Sequence, residues 1–453
     1  MPRLFALPFF AVVLGLAAVA TSAAERQPNF VIILADDMGY ADLSCSGGDR
    51  YQTPNIDALA KRGLRFRDFH SNGAVCSPTR AALLTGRYQQ RSGVDEVVFA
   101  DPARGKRDDH GLKPTEITFA RLLKGNGYRT GIMGKWHLGY AEKFNPVHHG
   151  FDEFRGYVSG NVDYHSHIDQ ADFADWWHNL ERRDEPGYST HLITKHALGF
   201  LEENKSRPFC LYVANEAPHS PYQGPKDGPV RGPNAGKPVQ GAEIQRAYRE
   251  MVQEMDRGVG EIVATLQRLG LAENTLVFFF SDNGGTREGN NGPLHGFKGS
   301  VWEGGHRVPA IAMWPAKIKP GVTDQTAIGM DLLPTLLQLS GTKSPAGHRL
   351  DGTSLVPLLF DGKSLPERTL FWGYNDRYAV RRGPWKLVVN PVAEGAKAKK
   401  KAAALADPAL GLFNLADDLG ENKNVAAQNS ERVREMQAAL AAWKKDVGAG
   451  TSR

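Results

Sequence analysis

Oxygen ligands come in two matched pairs in this chain, Asp36-Asp37 and Asp282-Asn283, and each pair closely follows a short apolar run. Three carboxylates and an amide oxygen repel one another unless a cation joins them, and an all-oxygen set suits Ca²⁺ or Mg²⁺ far better than Zn²⁺. Cys76 opens a different pattern, Cys76-Ser77-Pro78-Thr79-Arg80, continued by Ala81-Ala82-Leu83-Leu84-Thr85-Gly86-Arg87. Pro78 fits the first turn of a helix and Gly86 its end. The spacing therefore predicts Cys76 at a helix N-terminus, where free N–H groups and the helix dipole attract an anion. Basic and titratable residues recur in short clusters: Gly134-Lys135-Trp136-His137, Asn215-Glu216-Ala217-Pro218-His219 and Gly296-Phe297-Lys298. Singly, each has an ordinary alternative: a turn for the acidic pairs, a buried thiol for Cys76, a surface charge for Lys135 or Lys298, a structural ring for His137 or His219. Their chemistry depends on being brought together.

The elements that would do so are legible. Phe30-Val31-Ile32-Ile33-Leu34-Ala35 runs into Asp36, residues 128–133 into Gly134-Lys135, Phe209-Cys210-Leu211-Tyr212-Val213 toward Asn215, and Leu276-Val277-Phe278-Phe279-Phe280 into Ser281-Asp282. Continuous rather than alternating apolar runs predict strands buried on both faces of a mostly parallel sheet. Helical patterns lie between them, one starting at Thr53-Pro54 and stopped by Gly63, one over 117–124, and one over 244–269. The expected fold is α/β, a large mostly parallel sheet flanked by helices, with a small C-terminal subdomain of short antiparallel strands and a helix. In such folds ligands gather beyond the carboxyl ends of the strands, where all four clusters would lie. The predicted organisation is a signal peptide at 1–24, a catalytic domain at 25–365 and the subdomain at 366–453. Residues 223–241, rich in Gly and Pro, read as a loop bordering the site. The Ala/Lys stretch at 393–405 reads as a solvated excursion.

Of 453 residues, 41% are hydrophobic and 23% charged, and the net charge of +5 is scattered rather than gathered into a stripe, which argues against a nucleic-acid partner. Arg3, a nearly all-apolar run over 4–20, and Thr21-Ser22-Ala23-Ala24 have the layout of a cleavable export signal. No later stretch reaches the roughly 18 apolar residues of a membrane span, so the expected product is periplasmic or secreted, without a stable membrane anchor. Three cysteines, Cys45, Cys76 and Cys210, make no disulfide framework.

Cys76-x-Pro78-x-Arg80 with Leu84-Thr85-Gly86-Arg87 resembles the signature of the type I sulfatases, within the alkaline phosphatase superfamily. The resemblance runs along most of the chain: Asn29 to Gly39, Gly127-Tyr128-Arg129-Thr130-Gly131 through Gly139, Ser281-Asp282-Asn283-Gly284, Pro218-His219, Gly296-Phe297-Lys298 and Leu412-Phe413-Asn414-Leu415. Thr79 stands where many members carry Ser. The resemblance implies that a formylglycine-generating enzyme converts Cys76 to formylglycine, whose hydrate is the nucleophile. It also implies Ca²⁺ held by Asp36, Asp37, Asp282, Asn283 and the modified Cys76. Asp282 would help activate the attacking hydroxyl, and His219 and Lys298 would contact the sulfate and assist the leaving alcohol. His137 would take a proton from the second hydroxyl, while Arg80 and Lys135 hold the diol.

The segment 156–167 and Trp302-Glu303-Gly304-Gly305 are similar to parts of N-acetylgalactosamine-4-sulfatases, which implies a sulfated glycan or aryl sulfate ester as substrate. On that basis His165, His167, Trp176, Trp177, His306 and Arg307 are expected at a sugar subsite, where aromatic faces and cationic donors suit a sulfated polysaccharide. Three alternatives stand beside this: a phosphonate monoester hydrolase or phosphodiesterase on the same scaffold, a sulfate-transferring enzyme, and a glycan-binding relative in which Cys76 is not matured.

Overall fold

Apolar runs with no polar alternation need a cover on each side, and the chain supplies two helical layers. The computed structural model describes Met1 and residues 26–99, 110–390 and 410–449; the rest of the expected signal peptide, and the Ala/Lys stretch, lie outside the described residues. The large sheet is built from β1 (Asn29–Ala35), β2 (Leu64–His70), β3 (Arg129–Lys135), β4 (Glu153–Tyr157), β5 (Trp177–His178), β6 (Glu181–Arg182), β7 (Phe209–Ala214), β8 (Thr275–Ser281), β9 (Arg307–Met313), β10 (Gly321–Thr323) and β11 (Ala327–Ile328). Its order is β10-β2-β9-β8-β1-β7-β3-β4-β5-β6, with β11 also on β2. The central run β8-β1-β7-β3-β4 is wholly parallel. Antiparallel pairings enter on the flanks, where β9 meets β8 and β2, and β5 meets β4 and β6.

The helices are α1 (Pro54–Arg62), α2 (Cys76–Thr85), α3 (Gln89–Ser92), α4 (Phe119–Gly125), α5 (Ser189–Asn204), α6 (Ala242–Arg268), α7 (Glu303–His306), α8 (Leu332–Ser340), α9 (Val356–Asp361) and α10 (Ser430–Val447). Alternate residues of β1 serve opposite layers. Val31, Ile33 and Ala35 pack with Ile56 and Leu59 of α1, Ile193 and Phe200 of α5, and Met251, Met255 and Val259 of α6. Phe30, Ile32 and Leu34 pack with Leu83 and Leu84 of α2, Phe119 and Leu123 of α4, and Leu332 and Leu336 of α8. That two-sided burial is why the strands carry no polar face.

A second sheet, β12 (Thr369–Tyr374), β13 (Arg377–Arg382), β14 (Trp385–Val389) and β15 (Leu410–Asn414), is antiparallel in sequence order. Met436, Leu440 and Trp443 of α10 close one core with Leu387 and Leu412, and Tyr88, Trp302 and Met330 join it from the larger unit. The three cysteines are free thiols. Among the described residues no helix is long and apolar enough to cross a membrane.

Register aligns the strand ends. Ala35 pairs with Ser281, Leu34 with Ala214, Gly134 with Ala214, and Lys135 with Tyr157. The residues that follow these positions emerge side by side along one edge of the parallel run.

Candidate active site

Asp36 and Asp37 leave β1, and Asp282 and Asn283 leave β8 beside them. The Asp282 N–H donates to Ala35 O at 3.0 Å, and the Asp37 N–H donates to Asp282 Oδ1 at 3.2 Å. Asp37 takes a left-handed backbone at φ 67°, as does His137 at φ 57°, conformations that ordinary residues hold only when their surroundings impose them.

Cys76 is the first residue of α2, Gly86 closes that helix at φ 65°, and every residue between is buried. Arg80, one turn on, binds across the carboxylates: Nη2 donates to Asp282 Oδ2 at 2.9 Å and to Asp36 Oδ2 at 3.3 Å, and Nη1 to Lys135 O at 3.0 Å. Lys135 Nζ donates to the same Asp36 oxygen. Cys76 Sγ donates to Asp36 Oδ1 at 3.6 Å. Lys298 Nζ lies 2.6 Å from Asp37 Oδ1, and His219 Nε2 lies 3.7 Å from Asp37 Oδ2. The structure thus gathers Asp36, Asp37, Cys76, Arg80, Lys135, His219, Asp282, Asn283 and Lys298 into one pocket. His219 and Lys298 keep 11% and 20% of their side chains exposed while Asp36, Asp282 and Arg80 keep 1% or less, so these two flank the opening.

The electrostatics follow from burial. Burial raises Asp36, but Lys135, His219 and Arg80 outweigh it and hold the carboxyl below its usual range. Asp282, with burial and then Asp36 against ionisation, is pushed up to about 6. Burial, reinforced by Asp36, pushes the Cys76 thiol up to about 12, so among these side chains an unmodified Cys76 is a neutral thiol and a poor nucleophile. Burial brings His219 down to about 4, and burial with Lys135 holds His137 well below an ordinary imidazole. With Nε2 of His137 2.9 Å from Val98 O, its N–H donates there and Nδ1 carries the lone pair; Nδ1 is buried with no partner among the described residues.

The donor set fits a hard divalent cation. Among the described residues Asn283 Oδ1 is buried without a hydrogen-bond partner while its Nδ2 donates to Asp37 Oδ1 at 2.7 Å, which leaves a bare acceptor among carboxylates. Asp36, Asp37 and Asp282 are matched in number by Arg80, Lys135 and Lys298, so a bound divalent cation makes the pocket net positive and receptive to an anion.

A pocket that sets buried carboxylates around a helix-end residue, with a lysine and a neutral imidazole at its opening, suits an anionic ester. The chain belongs to the sulfatase family, whose model, described as Sulfatase, matches residues 28–342. It is 36% identical over 398 residues to N-acetylgalactosamine-6-sulfatase of Mus musculus, covering 83% of this chain and 74% of that protein. It is 33% identical over 495 residues to arylsulfatase A of Bos taurus, covering 97% and 93%. Among solved structures, Ps i-CgsB superposes with a TM-score of 0.80 at 30% identity over 92% of this chain and 93% of that one. The protein is a sulfatase.

The six expected sugar-subsite residues fare differently. His306 and Arg307 are buried beneath the C-terminal sheet: the His306 ring stacks on Trp372 at 4.2 Å, and Arg307 donates to Arg67 O and Glu303. His167 is buried against Trp176 at 4.5 Å, and Trp176, itself buried, donates from Nε1 to Glu185. All four are buried among the described residues, unlike the exposed aromatic and cationic faces expected of a sugar subsite. His165 and Trp177 are half-buried, with their ring N–H groups 3.1 Å from Gly224 O and 2.5 Å from Asp175.

Two residues near the chemistry were missed. Tyr374 of β12 is raised above an ordinary phenol by burial, and its strand neighbour Trp372 donates from Nε1 to Ser71 O at 2.9 Å, on the segment that leads to Cys76. Gly160 packs on His137, where an added Cβ would fall 2.8 Å from Nε2. A Gly160→Ala variant is expected to fold but to displace the imidazole, lowering kcat by about 100-fold. Steady-state kinetics beside a thermal melt would check this; wild-type kcat would show that the ring need not stay put.

Proposed function

We propose that this sulfatase removes sulfate from a sulfated carbohydrate, a polysaccharide or its oligosaccharides, using formylglycine at Cys76 and a calcium ion. The observation that carries the reading is the placement of Cys76 at a buried helix N-terminus, 3.6 Å from Asp36 Oδ1, beside an unpartnered Asn283 Oδ1. The relatives support it: two are named for sulfate esters, and Ps i-CgsB has also been solved in complex with k-i-k-neocarrahexaose. Export through residues 1–24 to the periplasm or beyond would bring the enzyme to polymers too large to enter a cell.

Asp36, Asp37, Asp282 and Asn283 would hold Ca²⁺, which when bound polarises the sulfate oxygens, and formylglycine at Cys76, installed by a separate maturation enzyme, supplies the nucleophilic hydroxyl. The other roles belong to the side chains themselves. Arg80 and Lys135 fix the carboxylates and so the direction from which a nucleophile at Cys76 faces the ester. Lys298 and His219 meet the anionic group at the opening, and Lys298, held charged by Asp37 against the cost of its burial, stabilises charge that develops there. His137, neutral and with its lone pair on Nδ1, is the base available to take a proton beside Cys76.

The test is a panel of sulfated oligosaccharides set against phosphate mono- and diesters and phosphonate monoesters. Sulfate release is expected to dominate by at least about 100-fold in kcat/KM; a phosphonate or phosphodiester preference would replace the reading. Chelation should silence the enzyme. Adding Ca²⁺ at about 100 times its Kd should restore turnover and stabilise the fold by about 2.7 kcal/mol, seen as a higher Tm.

A further inference from the structure

Behind the pocket, a buried set of charged side chains joins the two sheets. Asp68 and His70 end β2; Glu303 and His306 bound α7, with Arg307 next in sequence; Trp372, Arg381 and Lys386 come from β12, β13 and β14. Arg381 donates from Nη1 and Nη2 to the two oxygens of Asp68 at 2.7 Å each. His70 Nε2 lies 2.9 Å from Asp68 Oδ1, and its Nδ1 lies 2.9 Å from His306 Nδ1. Lys386 Nζ, fully buried, reaches Glu303 Oε1 and Glu421 Oε1 at 2.9 Å each and lies 3.2 Å from His306 Nε2. The His70, Glu303 and His306 ligand atoms lie close enough to embrace a metal ion, but the Lys386 ammonium already supplies the cation at that point.

The backbone of helix α7 touches three of the segments that carry the active site. Gly305 O accepts from the N–H of Gly284, the residue after Asp282-Asn283, at 2.9 Å. His306 O accepts from the Ser71 N–H at 2.8 Å, at the head of the segment leading to Cys76. Gly304 N–H donates to His295 O at 2.7 Å, and Gly299 N–H to Ala74 O at 2.8 Å, which ties the Lys298 turn to both. The approach is close enough that a Cβ on Gly284 would fall 1.8 Å from Gly304 O. From the other side, Trp372 Nε1 donates to Ser71 O at 2.9 Å.

We propose that Lys386 is a positioning residue: by holding Glu303 from the C-terminal sheet it sets α7, and through α7 the segments bearing Asp282-Asn283, Lys298 and Cys76, in one arrangement. The catalytic geometry is then complete only with the C-terminal sheet docked. The alternative role for so buried a group is bulk stability, and the two roles part experimentally, with the activity arm alone resting on the sulfatase chemistry above.

Three full-length variants decide it: Lys386→Met, the charge-neutral double Glu303→Gln/Lys386→Met, and Leu412→Ala, which weakens the same C-terminal core without a polar group in the network. Amide hydrogen exchange followed by mass spectrometry over 71–76, 282–286 and 298–306 reports the arms whatever the substrate. In Lys386→Met these amides are expected to exchange about tenfold faster or more, whereas Leu412→Ala, compared at equal distance below its Tm, leaves them as in wild type. On the sulfate ester, kcat of Lys386→Met should fall about 100-fold with KM within a few-fold. The double variant regains part of the Tm by removing one of the two carboxylates that the loss of Lys386 leaves behind, Glu421 being the other, but keeps the fast exchange and low kcat, and it carries the test if Lys386→Met does not fold. Exchange and kcat that follow Tm in the manner of Leu412→Ala, or a double variant that behaves as wild type, would overturn the proposal. Wild type without sulfate ester turnover would instead count against the sulfatase chemistry and leave the exchange result standing.

Discussion

Replacing Cys76 by alanine is expected to leave a folded chain with no more than about one part in 10⁵ of its sulfate-ester turnover. Removing one sulfur from the start of α2 takes away a 3.6 Å contact to Asp36 and little packing, so the melt should barely move while activity disappears. The loss separates the residue's chemistry from its place in the fold. It belongs with one measurement on the wild type, the mass of the peptide containing Cys76. An aldehyde there makes the peptide about 18 Da lighter than the thiol form, and only that form is expected to turn over, because burial and Asp36 suppress the thiolate. A fully active preparation with an alkylatable thiol at position 76 would end the formylglycine reading.

Arg80→Ala should be nearly as severe, and for a different reason. The guanidinium is 1% exposed and donates to both Asp36 and Asp282, which are fully buried. Without it two carboxylates lose a shared partner, a change of the kind that costs about 3–5 kcal/mol. The expected outcome is a large drop in Tm together with a fall in kcat of at least about 100-fold. Saturating Ca²⁺ should recover part of the Tm and little of the kcat, since a cation can balance the carboxylates without replacing the donor that orients them. Arg80→Lys keeps the charge but not the planar fork, so it should stay closer to wild type in stability than in activity. An Arg80→Ala enzyme with normal kcat would show that the carboxylates need no such clamp.

The sequence made the chemistry legible where it was local. Four apolar runs led into Asp36, Lys135, Asn215 and Asp282, and parallel register then placed those ends together. Pro78 and Gly86 bracketed the Cys76 helix as their backbone preferences require. What the sequence hid was long-range. His306 and Arg307 follow Trp302-Glu303 in a stretch whose aromatic and cationic composition suits a sugar, but their partners lie far away: His70 is 236 positions from His306, and Arg67, whose carbonyl Arg307 binds, is 240 positions from it. Nothing near 303–307 announces a buried ion network. Gly160 was hidden for a related reason, because a glycine pressed on an imidazole looks in sequence like any loop glycine. Strand β9 begins within the same segment, at Arg307.

The complete burial of α2 has a consequence in time. Cys76 keeps 2% of its surface in the finished fold and its whole helix is sealed between layers, so no second protein can seat itself around that side chain once folding is done. If Cys76 is matured as proposed, the modifying enzyme would have to win a race during biosynthesis, reaching the 76–87 stretch before β8 and α7 arrive from some 200 residues downstream to shut it in. Conditions that speed folding relative to modification, or hosts that express the chain faster than they modify it, would yield well-folded and permanently silent molecules. Specific activity per folded chain then becomes a record of how that race was run.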